Sequence, residues 1–198
     1  MRTKRFLLFL NLLFILSCNS NVDYYHLPTF SSNKQINAIV EIPAGTNKKF
    51  EYNKTTHTFE IDQKNGLDRI VQFLPYIGNY GYIPSTYSDP KKGGDGDALD
   101  VLVLSESLPT GSVVEIIPIA MLKLIDDGEL DYKIIAVPFN KADQVIKATN
   151  YKQFDEKHPQ IKKIIELWFL NYNKDDEARI DGWANEKEAI KEINSNLL

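Results

Sequence analysis

From Ile36 to Ile42 every second residue is apolar, the alternation of a strand with one face buried. Phe50 and Tyr52 alternate with Lys49, Glu51 and Asn53, and Phe59 and Ile61 with Thr58, Glu60 and Asp62. These predict two further strands of an antiparallel sheet. Ala98–Leu104, Ser112–Leu124 and Tyr132–Phe139 are apolar, β-branched runs that also read as strands. Pro118, inside the second run, predicts an edge or a bulge, since proline has no N–H to give to a ladder. Ile70–Pro90 is rich in aromatic residues, Gly and Pro and reads as a long ordered connection.

The period then changes. His158–Asn173 places Ile161, Ile164, Ile165, Trp168, Phe169 and Tyr172 on one stripe at helical spacing. Asn185 followed three residues later by Glu188 has the form of a capping box, opening a short helix with Ala189, Ile190 and Ile193 inward. Strands first and helices afterwards predict an α+β domain with a mainly β core, its helices packed on a small sheet or barrel.

The N-terminus follows different rules. Three positive charges lie within Met1–Arg5, and Phe6–Leu16 is an apolar run interrupted by Asn11. That is a secretory leader, too short for a spanning helix of about 20 residues. The Ile15-Leu16-Ser17-Cys18 that ends it resembles the bacterial lipoprotein signal, in which the cysteine becomes the acylated first residue. An ordinary signal peptide with a stray cysteine is the alternative. Residues 1–17 are thus expected as signal peptide, 18–35 as a polar tether and 36–198 as the folded domain. The protein is expected as an extracytoplasmic lipoprotein anchored through Cys18.

The formal charge of −4 becomes −7 without Arg2, Lys4 and Arg5, leaving 20 basic against 27 acidic residues. A nucleic-acid binder needs a basic stripe to displace phosphate counterions, so that class is excluded. One cysteine allows no intrachain disulfide and no cysteine-based zinc site, and His26, His57 and His158 are scattered. A metal in this chain is therefore held by oxygen.

The sharpest chemical signal is Asp95-Gly96-Asp97-Ala98-Leu99-Asp100, three carboxylates behind Gly93-Gly94 and directly ahead of a strand. Carboxylates this close repel one another unless hydrated or bridged by cations. A calcium EF-hand does not fit, because its glycine position is Asp100 and no Glu closes a twelve-residue loop. A second acidic group, Asp126, Asp127, Glu129 and Asp131, precedes Lys133 and reads by itself as a solvated hairpin turn.

Taken with Glu41-Ile42-Pro43-Ala44, Lys49, Glu51, Asp68-Arg69, Asn79-Tyr80-Gly81-Tyr82 and Tyr172, these motifs form an ordered set from about Ile39 to Trp183. The set closely resembles the family I soluble inorganic pyrophosphatases. The resemblance implies a small five-stranded, OB-like barrel with flanking helices, and magnesium-dependent hydrolysis of inorganic pyrophosphate. It assigns metal binding to Asp95, Asp100, Asp131 and Asp126, with Glu41 and Glu51 reaching the metals through water or through the residues that hold them. Asp97 matches the residue that orients and deprotonates the attacking water. Lys49, Arg69, Tyr80, Lys133 and Tyr172 match groups around the two phosphates, and Tyr76 falls near the pocket. Family members form different homo-oligomers, and no interface pattern here selects one.

Two positions depart from the family pattern. Ala98 stands where a proline is usual. Asn173 stands where a lysine usually follows the tyrosine, with Lys174 one residue later as the candidate replacement. Two other readings are weighed: a non-catalytic metal- or polyanion-binding module of the same fold, which loss of a carboxylate would favour, and a hydrolase of another small phosphoanhydride.

Overall fold

The computed structural model describes residues 22–173, 175 and 177–198. Cys18 and Lys174 lie outside the described residues. The strands are β1 (Ile36–Ile42), β2 (Phe50–Asn53), β3 (Thr58–Ile61), β4 (Gln63–Lys64), β5 (Leu67–Asp68), β6 (Asn79–Tyr82), β7 (Asp100–Val103), β8 (Val113–Asp126), β9 (Glu129–Leu130), β10 (Lys133–Pro138) and β11 (Ala178–Asn185). The helices are α1 (Tyr151–Lys157), α2 (Pro159–Phe169) and α3 (Glu186–Ser195).

Strands β1, β6, β7, β10 and β8 pair in that order, and β8 pairs back onto β1, so five strands close into a ring with β11 added on β8. Only β7 and β10 run parallel; the other ring pairings are antiparallel. The 14-residue β8 serves four neighbours, β1, β9, β10 and β11, and bends to do so. Ile135 faces Ala120 while Ala136 faces Pro118, leaving Ile119 as an extra residue. Pro118 thus marks a bulge in an interior strand, where it sharpens the turn of the barrel wall.

Both faces of the wall are buried. Leu102, Leu104, Ile135 and Val137 face a cluster with Phe154, Ile165, Trp168 and Phe169. Val101, Val103, Ile134 and Ala136 face another that includes Ala189 and Ile193 of α3. That is why β7 and β10 read as continuous apolar runs and β1, with Glu41 and Asn37 along it, reads as an alternation.

Several expectations need correction. The connection at 70–90 contains β6. Its Gly81 lies opposite Val40, and a Cβ there would stand 1.8 Å from Ile39 O, so only glycine lets β6 close on β1. The last third is not wholly helical, because β11 lies within it. Helix α2 ends at Phe169, so Tyr172 and Asn173 follow it. On the two predicted stripes Ile164 is 49% exposed and Ile190 40% exposed, at the edges of the buried sector. Asn185 does cap α3, accepting the N–H groups of Lys187 and Glu188 at 2.9 and 3.1 Å.

The largest difference concerns residues 22–35, expected as tether. Tyr25 and Thr29 are buried, Thr29 Oγ1 donates to Pro84 O at 2.8 Å, and Tyr25 joins Ile39, Tyr52, Tyr82 and Ala98 in a third apolar cluster. This leading segment is part of the folded body. Among the described residues no helix is long and apolar enough to cross a membrane.

Candidate active site

The barrel delivers its chemistry to one end. Glu41 lies near the end of β1, Lys49 and Glu51 at β2, Arg69 just past β5, Tyr76 and Tyr80 before and on β6, and Asp95 and Asp97 in the loop leading to β7. Asp100 opens β7, Asp126 closes β8, Asp131 and Lys133 bracket the start of β10, and Tyr172 follows α2. All of these line a single cleft of ≈ 320 Å³. None of the three histidines lines it. Asn173 does not line it either; its Oδ1 accepts the N–H of Asp175 at 3.2 Å.

The acidic loop is shaped by its own sequence. Gly96 adopts φ +86°, a left-handed conformation that a side chain disfavours. Asp97 N–H turns back onto Asp95 Oδ1 at 3.0 Å. The peptide is pinned by Ser88 N–H, which donates to Asp97 O at 2.7 Å. Asn79, buried on β6, braces the next loop by accepting the N–H groups of Ala44 and Leu108 and donating to Ser105 Oγ and Glu106 O.

At the centre Lys133, only 3% exposed, donates to both Asp100 Oδ2 and Asp131 Oδ1. Lys133 and Asp100 are register partners across the parallel β7–β10 pair, so the barrel itself sets this contact. Tyr80 Oη donates to the same Asp100 oxygen. Burial works to lower the Lys133 pKa, but the charges of Asp100 and Asp131 outweigh it and keep the ammonium protonated. Burial also raises the Asp100 pKa to about 6, with Lys133 opposing and Asp131 adding to the rise. Glu41 is pushed up to about 8, first by burial and then by Asp100 and Glu51, against the Tyr52 N–H that donates to its Oε1 at 2.7 Å. Asp95 is raised by burial as well. Tyr76 and Tyr80 are raised by burial and stay neutral donors.

The outer cations are also paired. Lys49 Nζ lies 2.6 Å from Glu51 Oε1 and 3.6 Å from Asp62 Oδ2, and Arg69 Nη1 donates to Asp62 Oδ2 at 2.6 Å. Burial works against ionised Asp62, yet the Arg69 hydrogen bond and the Lys49 charge hold its carboxyl below the usual range. Asp62 was not singled out from the sequence, where it is one more polar residue in the Thr58–Asp62 alternation. Tyr172 stacks on Trp168 with ring centroids 4.8 Å apart. Tyr25 and Lys54 also line the cleft and carried no local signal; Tyr82, Asp127, Glu129, Trp168 and Phe169 line it too, though the sequence places them only in a short motif, a solvated turn and a helical stripe.

Nine carboxylates face four cationic side chains in this cleft. Among the described residues no three of them converge closely enough, as they stand, to enclose an ion. The donor set nevertheless suits hard divalent cations, being all oxygen and in negative excess. Lys133 already stands as a cation between two of the carboxylates, and the pKa values of Asp100 and Glu41, raised first by burial and then by neighbouring carboxylates, are ones that a further cation would lower.

The sequence model of the family described as inorganic pyrophosphatase matches residues 38–197. Similar curated proteins include the inorganic pyrophosphatase of Neisseria meningitidis serogroup B, 36% identical over 166 residues, covering 82% of this chain and 86% of that one. That of Saccharolobus solfataricus is 34% identical over 163 residues, covering 80% of this chain and 88% of that one. Among solved structures, the inorganic pyrophosphatase of Thermus thermophilus superposes with a TM-score of 0.74 at 27% identity, over 88% of this chain and 97% of that one.

Proposed function

The chain belongs to the inorganic pyrophosphatase family, and we propose that it hydrolyses pyrophosphate to two phosphates with magnesium in the carboxylate-lined cleft. The observation that carries this reading is the buried Lys133 shared by Asp100 and Asp131 among nine carboxylates in ≈ 320 Å³. A cleft that small and that charged suits an inorganic anion brought in with cations.

Asp95, Asp100, Asp131 and Asp126 would hold the ions, with Glu41 and Glu51 contacting their waters. Magnesium, when bound, offsets the charge of pyrophosphate and makes water more acidic. Asp97 stands exposed at the cleft, orients the attacking water and takes its proton on a carboxylate oxygen. Lys49, Arg69 and Lys133 bind phosphate oxygens, and the Arg69 guanidinium offers two parallel donors. In the free protein each of these cations is already satisfied by a carboxylate, so pyrophosphate enters by exchanging one oxygen anion for another. Tyr80 and Tyr172 supply neutral O–H donors that add no charge. Lys174, the candidate for the lysine missing at Asn173, lies outside the described residues.

The test is phosphate release from pyrophosphate, ATP and tripolyphosphate, each with magnesium and with chelator. Fast release from pyrophosphate in magnesium alone is expected. Release from ATP or tripolyphosphate but not pyrophosphate would make the enzyme a hydrolase of another phosphoanhydride, and no release from any would make it a binding module.

For location we propose an extracytoplasmic, membrane-anchored lipoprotein acylated at Cys18. The basic start, the short apolar run and the cysteine directly after Ser17 support it.

A further inference from the structure

Asp97 has a fixed backbone and a loose carboxylate. Its peptide is held by Ser88 and Asp95, yet its side chain is 70% exposed. Among the described residues the side chain that hydrogen-bonds the carboxylate is Lys54, whose Nζ donates to Oδ1 at 2.9 Å. An exposed ion pair of this kind usually adds little. Here the ammonium has a second support, because it stands 4.1 Å from the ring centroid of Tyr25.

Tyr25 is a buried platform with hydrogen bonds at both its backbone and its hydroxyl. Its carbonyl accepts Ser85 N–H at 2.8 Å, and its Oη donates to Thr86 O at 3.3 Å. The leading segment around it is fastened on both sides. Tyr24 N–H donates to Tyr52 Oη at 3.1 Å, and Leu27 O accepts Ser85 Oγ at 2.9 Å. Lys54 projects from the β2–β3 turn, which His57 N–H closes onto Asn53 O at 2.8 Å. A platform, a lysine and a carboxylate thus line up from three separate parts of the chain. The platform comes from residues that precede the stretch matched by the family, 38–197.

We propose that Lys54, seated on the Tyr25 ring, is a positioning residue for Asp97, so that the leading segment completes the active site from outside the barrel. Lys54 occupies Oδ1, which selects one carboxylate rotamer and leaves Oδ2 to meet water. This rests on the reading of Asp97 as the group that takes the proton of water.

The test is steady-state hydrolysis of pyrophosphate in saturating magnesium by Lys54→Met, Lys54→Arg, Tyr25→Leu, the Tyr25→Leu/Lys54→Met double variant and Asp97→Asn. Lys54→Met should lower kcat about three- to tenfold, a fraction of the ~10²-fold or more that loss of a positioned base costs. KM should stay within about twofold and the melting temperature should not move. Lys54→Arg should recover most of the turnover. Tyr25→Leu should lower kcat in the same direction and add nothing in the Lys54→Met background, because it acts through Lys54. Unchanged or raised kcat in Lys54→Met, a loss confined to KM, or additive losses in the double variant would overturn the proposal. If Asp97→Asn turns over poorly while Lys54→Met matches wild type, the positioning role alone fails. If Asp97→Asn matches wild type, the reading of Asp97 fails and this one with it.

Discussion

Replacing Glu41 by Gln should stabilise the metal-free protein, and increasingly so as pH rises. Glu41 sits on β1 with Oε1 receiving Tyr52 N–H at 2.7 Å, an acceptor that the Gln side chain retains. Burial, then Asp100 and Glu51, raise its pKa from 4.5 to about 8. An acid whose pKa is higher folded than unfolded costs no stability while both states are protonated, below about 4.5. From there the cost grows as pH rises through 8, because the unfolded chain releases the proton first. The full shift is worth ~5 kcal/mol. Glu41 is only half-buried by area and keeps contact with water, so about 2–4 kcal/mol is the discounted expectation. For a chain of 198 residues that corresponds to about 5–10 °C in melting temperature at pH 8. Thermal unfolding followed by circular dichroism in chelator, at pH 5, 6.5 and 8, measures it. The variant and wild type should melt nearly together at pH 5 and separate toward pH 8, and added magnesium should narrow the gap by favouring the carboxylate. A gap that is constant with pH, or that favours wild type at pH 8, would refute the reasoning.

Asp97→Asn should keep the fold and lower turnover ~10²-fold or more; near-normal turnover would mean that Asp97 is not the base. Gly81→Ala should lose about 3 kcal/mol or more, seen as insoluble expression or a large fall in melting temperature, since the added Cβ meets backbone at 1.8 Å. A stable, soluble Gly81→Ala would show that β6 shifts freely against β1. Cys18→Ala should move the protein from the membrane to the soluble fraction with its activity intact, and retention as strong as wild type would rule out the lipid as anchor.

What could be read from the sequence follows from which side chains face what. β1 was legible because one register of its residues is apolar, and β7, β8 and β10 because burial on both faces makes them continuously so. β6 was hidden because its residues are chosen for other duties: Asn79 braces a loop, Tyr80 reaches Asp100 and Gly81 permits close approach to β1. β11 was hidden because the register shifts between Ile180 and Trp183 around Gly182 at φ +115°, which breaks the period of two. The acidic motif was legible because its carboxylates are adjacent in sequence. Asp62, Lys54 and Tyr25 were not, since each acquires its chemical partner only through contacts that the β2–β3 turn, the β4–β5 hairpin and the leading segment bring about.

The same geometry links the fold to the charge in its cleft. Asp100 and Lys133 are neighbours because β7 and β10 pair in parallel register, and that pair is covered by apolar clusters on both faces. A wall buried on both sides resists local opening, so it can hold Asp100 and Asp131 close in spite of their repulsion. Burial, with Asp131 adding to it, raises the Asp100 pKa, and the one lysine between them opposes that rise without cancelling it, which is why Asp100 still resists ionisation. A divalent cation that binds only the folded chain would stabilise it by mass action, and the gain would grow with its concentration relative to the dissociation constant. A carboxylate excess that costs the metal-free barrel stability would therefore make it responsive to cations, with the β7–β10 pair, buried on both faces, keeping the site in register while it is under-neutralised.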